Sequence, residues 1–166
     1  MARSMAAEVL ALCREKGLTL AAAESCTGGL IAKELTDVPG ASQVFLGGVV
    51  SYTDHVKQQV LHVPENLLTR CGAVSAPVAR AMALGARLIT GADIAVSVTG
   101  LAGPGGDDRG NPVGTVFVGL AGPDGTTVQQ LSLSGSREKI RADSSMEALR
   151  MIQECVRNGG EAKETE

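Results

Sequence analysis

Residues 18–37 read LTLAAAESCTGGLIAKELTD. Leu18 to Ala23 is a short, nearly continuous apolar run, the pattern of a strand buried on both faces. The polar quartet Glu24-Ser25-Cys26-Thr27 interrupts that run, and GGLIAKELTD then reads as helix. A buried strand feeding directly into a helix is the repeating unit of parallel α/β sheets, so the quartet stands at a strand-to-helix junction.

Upstream, Met5, Val9, Leu10, Leu12 and Cys13 recur at helical spacing between Ala2 and Lys16, and Gly17 stops the helix as a C-terminal cap. Downstream, Val38-Pro39-Gly40 makes a turn, and Val44 to Tyr52 reads as a second strand whose Gly47-Gly48 pair marks a bulge or a close backbone approach. Asp54 is placed to cap a helix through about Leu61. Pro64 opens a short helical segment, and Ser75-Ala76-Pro77 starts a long Ala-rich helix ending near Gly91. Asp93 to Val98 is a third strand. The stretch TGLAGPGGDDRGNP, residues 99–112, holds five glycines and two prolines and is read as a long loop. Val113 to Leu120 and Thr126 to Leu133 flank the turn Gly122-Pro123-Asp124-Gly125 as a hairpin, and Arg137 to about Val156 closes the fold as a helix. The expected architecture is a single α/β domain over residues 1–158, three layers deep (α/β/α) around a mixed β-sheet. A frayed tail is expected at 159–166.

Composition bounds the function. The 166 residues are 44% hydrophobic but only 2% aromatic, with no Trp, so the core must be built from Ala, Val, Leu and Ile. A net charge of -3 without a basic cluster excludes a nucleic-acid surface, which needs a positive stripe. Glu8, Arg14, Glu15 and Lys16 interrupt the first helix, so neither a membrane span nor an apolar signal run is present there. A soluble, cytoplasmic protein is expected. Cys13, Cys26, Cys71 and Cys155 are scattered without a C-x-x-C pair and are expected to be reduced thiols. His55 and His62, the two histidines, lie seven apart, which is not a usual zinc spacing; no metal site and no cofactor are expected.

Three junctions carry chemistry-bearing residues at expected strand ends, where ligands sit in open α/β sheets. At the first, Ser25 is either the N-cap of the following helix or a nucleophile held at a sharp turn, with amides of Thr27, Gly28 and Gly29 free to stabilise an oxyanion. Cys26 competes for the nucleophile's role, because a helix N-terminus lowers a thiol pKa. At the second, an N-cap at Asp54 puts Lys57 at the third helical position, facing the positive end of the helix dipole. That placement with partial burial would lower its pKa towards the range of a general base; the alternative is an ordinary surface lysine. Tyr52, the only tyrosine, adjoins it. At the third, Thr99 to Gly106 follows a strand and either cradles a phosphate or carboxylate or is simply a tight connection. It matches neither a Walker loop nor a dinucleotide fingerprint.

AESCTGG (23–29), GGVVSYTDHVKQQVL (47–61), GAVS (72–75), SVTGLAGPGG (97–106) and NPVGTVFVGL (111–120), in this order from about Val9 to Glu154, resemble the C-terminal domain family of CinA. Its stand-alone members include nicotinamide-nucleotide amidases. The resemblance implies the stand-alone form and hydrolysis of the carboxamide of nicotinamide mononucleotide to nicotinate mononucleotide and ammonia by a metal-independent Ser/Lys mechanism. It implies Ser25 as nucleophile, Lys57 as general base and Tyr52 as the base's hydrogen-bonding partner, and assigns Cys26 no nucleophilic role. Thr27, Gly28, Gly29, Thr99, Gly100, Ala102, Gly103 and Arg137 are the expected substrate-binding residues. The implied partner is a pyridine mononucleotide, and the implied assembly is a homodimer or higher homo-oligomer. Two positions depart from the family pattern: Ala76-Pro77 follows GAVS where a Glu-containing helix start is common, and Ser136 precedes Arg137 where Asp is common. They leave a non-catalytic nucleotide-binding module as the alternative reading.

Overall fold

The computed structural model describes residues 2–159; residues 160–166 of the expected tail lie outside the described residues. Six α-helices and five strands follow one another as α1 (Met5–Lys16), β1 (Leu20–Glu24), α2 (Leu30–Thr36), β2 (Phe45–Val50), α3 (Asp54–Leu61), α4 (Glu65–Cys71), α5 (Ala76–Thr90), β3 (Ile94–Gly100), β4 (Thr115–Gly122), β5 (Gly125–Ser132) and α6 (Arg137–Arg157). The strands form one mixed sheet in the order β2-β1-β3-β4-β5. β1 pairs in parallel with both β2 and β3, and β4 and β5 add on as an antiparallel hairpin. The expected α/β architecture is therefore present.

The small residues set how closely helices approach the sheet. On one face α5 presents Val78, Met82 and Ala86 to Ala21, Ala23 and Ala95. Ser97 Oγ donates to Ala79 O at 2.6 Å, and a Cβ on Gly119 would come within 2.6 Å of that same carbonyl. Only a glycine leaves room there. On the other face α1, α2 and α6 cover Leu20, Ala22, Val96, Val98, Val116 and Val118. The core is thus aliphatic, as the near absence of aromatics requires.

Because β2 lies to one side of β1 and β3 to the other, the chain reverses its direction of winding at the carboxyl end of β1. Ligands of open α/β sheets sit at such a switch point. The ends of β1, β2 and β3 deliver residues 25, 51–52 and 99–100 to one rim.

Helix boundaries differ from expectation at the first two junctions. Ser25 is not an N-cap: α2 begins at Leu30, with Gly29 in the left-handed region at φ 103° as its cap residue. Asp54 is not one either, since Thr53 caps α3 and accepts from the Val56 amide, which moves Lys57 from the third helical position to the fourth. At the two departures from the family pattern, local chemistry is intact. Ser136 caps α6 by accepting from the Lys139 amide at 3.1 Å, and Pro77 occupies the first turn of α5, where no amide partner is lost.

Gly85 on α5 faces the last residue of α3, and an added Cβ would lie 2.0 Å from Leu61 O. Gly85→Ala must push α3 away from α5, an overpacking cost of about 1–3 kcal/mol. Thermal melting followed by circular dichroism should show Tm lowered by roughly 2–10 °C for a domain of this size.

Candidate active site

Ser25 is the first residue beyond β1, and its amide donates to Val98 O of the neighbouring β3 at 2.9 Å. The five residues 25–29 that connect to α2 are pinned from both sides. The Glu24 side chain is buried, and its two carboxylate oxygens accept from the Ile31 and Ala32 amides at 2.8 and 3.1 Å, so the end of β1 holds the start of α2 directly. Arg141, reaching in from α6, donates to Cys26 O at 3.0 Å and to Thr27 O at 3.1 Å. Charge-assisted bonds of this kind are about twice as strong as neutral ones, which makes the turn rigid.

Lys57 meets Ser25 from α3. Its side chain is only 1% exposed, and Nζ lies 3.0 Å from Ser25 Oγ and 2.8 Å from Ser51 O. Ser51 is itself locked to β1, because its amide donates to Glu24 O at 2.8 Å. Burial lowers the Lys57 pKa from the ordinary 10.5, while Asp54 and Cys26 nearby oppose that shift only in part. Nζ donates to both oxygens; only once deprotonated can the amine turn a lone pair to the serine hydroxyl and accept its proton. The depressed pKa expected from the helix dipole arises here chiefly from desolvation.

Around this pair is a cavity of about 270 Å³ lined by Ser25, Cys26, Tyr52, Asp54, Lys57 and the β3 end with its following loop, Thr99 to Gly103. Arg137, in the first turn of α6, closes one wall by donating to Gly103 O at 2.6 Å and to Tyr52 Oη at 2.8 Å. Thr99 Oγ1 donates to Ala73 O at 2.8 Å, tying the loop entrance to the segment before α5. A larger apolar groove of about 650 Å³ runs between α5 and the α3–α4 segment, but no serine, cysteine or lysine lines it.

The structure thus brings together Ser25, Tyr52, Lys57, Thr99, Gly100, Ala102, Gly103 and Arg137. Thr27, Gly28 and Gly29 do not line the cavity. The Gly28 amide already donates to Ser25 O at 3.0 Å, and Glu24 occupies the first amides of α2, so the free helix-start donors expected there are largely spent. Tyr52 does not serve as the hydrogen-bonding partner of Lys57; its hydroxyl is held by Arg137, and Ser51 O takes the place beside the amine. Cys26 is also corrected: burial pushes its thiol up to about 11, so it is protonated at neutral pH rather than activated. Glu24, Ser51 and Arg141 went unnoticed in the sequence. Glu24 carried a faint signal, an acid at the end of a buried strand, whereas a backbone carbonyl at 51 and an arginine 116 positions from Ser25 carried none. Among the described residues no group of three or more His, Cys, Asp or Glu side chains is placed to hold a metal. No described helix is long and apolar enough to cross a membrane.

The lowered Lys57 pKa has a thermodynamic consequence. Between the native pKa and 10.5 the unfolded chain holds a proton that the native one lacks, so this residue's contribution to stability rises with pH across that window. Below the native pKa its destabilising effect is fully present. Denaturant melts from pH 6 to 10.5 should show the stability of the parent rising relative to Lys57→Met; a pH-independent difference would mean that Lys57 keeps an ordinary pKa.

Residues 2–156 match the family model for the CinA C-terminal domain. A CinA-like protein of Geotalea uraniireducens is 52% identical over 85% of this chain and 34% of its own length. A putative competence-damage inducible protein of Caldanaerobacter subterraneus subsp. tengcongensis is 49% identical over 87% of this chain and 35% of its own. The chain therefore spans about a third of the length of these relatives. Among solved structures, the competence damage-inducible protein A of Klebsiella pneumoniae superposes with a TM-score of 0.91 at 33% identity, covering 93% of this chain and 96% of that one. A competence/damage inducible protein of Agrobacterium tumefaciens gives 0.87 at 38% identity, covering 90% and 92%. With fold, ordered motifs and family model in agreement over nearly its whole length, the chain belongs to the CinA C-terminal domain family.

Proposed function

We propose that the protein is a nicotinamide-nucleotide amidase that hydrolyses the carboxamide of nicotinamide mononucleotide by a Ser/Lys mechanism. The observation that carries this reading is the buried Lys57 amine 3.0 Å from Ser25 Oγ, at the mouth of a cavity large enough for a small planar group. A serine hydroxyl needs an adjacent base to become a nucleophile, and Lys57 is the one base within reach of it in the cavity lining.

In the proposed cycle Lys57 Nζ takes the Ser25 proton, and Oγ attacks the amide carbon. Charge gathers on the former carbonyl oxygen, for which the amide of Cys26, a residue of the cavity lining, is the proposed donor. The Lys57 ammonium returns its proton to the nitrogen, the C–N bond breaks, and ammonia leaves an acyl ester on Ser25. Water, deprotonated by Lys57, attacks that ester and releases the carboxylic product and free Ser25. One water is consumed, and no cofactor takes part. Ser51 O keeps the amine aimed during both halves. Arg137, fixed by Gly103 O and Tyr52, supplies the positive charge for a substrate phosphate.

Purified protein incubated with nicotinamide mononucleotide should release ammonia and yield a product one mass unit heavier. Ser25→Ala and Lys57→Met should each lower kcat by at least about a thousandfold with the fold intact, whereas Cys26→Ala should keep activity within about threefold. Nucleotide binding without product by the folded parent would instead identify a binding module. The pH profile of kcat/KM should rise with the neutral form of Lys57, with its midpoint below 10.5.

A further inference from the structure

Asp54 is the one carboxylate lining the cavity, and no role has been given to it above. It sits three residues before Lys57 on α3, so the two side chains share a face of the helix. Among the described residues Asp54 joins no ion pair, the three present lying at Lys33–Asp37, Lys139–Asp143 and Arg150–Glu147. The helix does not need it as a cap either, since Thr53 fills that place. Beside it stands the ring of Tyr52, 55% exposed although its hydroxyl is tied to Arg137. A flat aromatic face and an unpaired carboxylate together attract a flat cation. The opposite charge is supplied from another element, by Arg137 on α6, so the cavity wall is dipolar: negative beside the reacting pair on α3, positive beside the 101–105 loop.

We propose that Asp54 and the face of Tyr52 form a cation subsite that selects carboxamides borne on a positively charged heteroaromatic ring over the same amide on a neutral ring. This rests on the amidase reading and refines its substrate class: a zwitterion, with a cationic ring near Ser25 and an anionic group towards Arg137. The carboxylate holds the ring through charge, and Tyr52 holds it through stacking. The Lys57 amine beside them is bonded to Ser25 Oγ and Ser51 O and forms no ion pair with Asp54.

The two forms of nicotinamide mononucleotide separate ring charge from everything else, because the 1,4-dihydro form keeps the amide, ribose and phosphate but has a neutral ring. Both are titrated by calorimetry into the Ser25→Ala protein, where turnover is blocked. The oxidised form should bind at least about tenfold tighter, as expected for one partly screened charge pair with a cation–π contact. Adding Asp54→Asn should reduce that preference to within about twofold, leave the affinity for the dihydro form unchanged, and make the preference insensitive to salt. Tyr52→Leu, measured separately, should weaken the oxidised form more than the dihydro form, whereas Tyr52→Phe should not. Equal affinities for the two forms, or a preference that survives both Asp54→Asn and Tyr52→Leu, would overturn the subsite and leave Asp54 as a helix-end charge. Failure of both forms to bind, together with no turnover by the parent, would count against the amidase reading itself.

Discussion

The site depends on one expensive arrangement, a lysine amine buried to 1% exposure whose hydrogen-bond partners are a hydroxyl and a carbonyl. A charged ammonium without an ion-pair partner costs several kcal/mol in such a place, and burial accordingly lowers the Lys57 pKa, with Asp54 opposing only in part. Everything nearby serves to keep that amine in position. β2 ends where Ser51 can offer its carbonyl, and Thr53 starts α3 at the register that turns Lys57 inwards. Gly85 lets α5 press against the end of the same helix. Loosening any of these would admit water, and a hydrated Lys57 would be an ordinary cation.

Ser25 is fixed by a different device. The Glu24 carboxylate bridges the end of β1 to the first amides of α2, skipping over the residues that do the presenting. Residues 25–29 therefore form a short arch whose feet are joined, with Arg141 holding its crown. The arrangement spends the amides that a helix start normally offers to an anion. In the proposed reading, anion recognition falls to Arg137 and to the loop after β3.

Much of the fold was legible because it follows from periodicity and punctuation. The apolar run at 18–23, found as a strand at Leu20–Glu24, the Ala-rich helix ending at Gly91 and the hairpin around Gly122 each reflect a local rule, and the structure places them within a few residues of expectation. The mixed sheet followed from the order of elements. The pairing of Ser25 with Lys57 was legible only in outline: both residues stood at strand-to-helix junctions, but no local pattern says that two junctions 32 positions apart share a rim. Strand order supplies that, with β1 between β2 and β3. What was misread depended on atoms that sequence patterns do not describe. Ser51 acts through its carbonyl, Gly28 spends its amide internally, and the Cys26 thiol is governed by burial rather than by the helix near it. Asp54 was read as a cap because its side chain suits one, yet Thr53 was one residue closer to the turn.

Arg137 and Arg141 enter the site from the last helix, whereas the serine they frame lies near the start of the chain. During synthesis, the segments bearing Ser25 and Lys57 leave the ribosome long before the two arginines that complete the cavity. A nascent chain holding everything through the β4–β5 hairpin has the reacting atoms but neither the crown of the arch nor the positive wall. The cavity is thereby completed only once α6 has been made, and a truncated product that lacks this helix is left with an unframed serine.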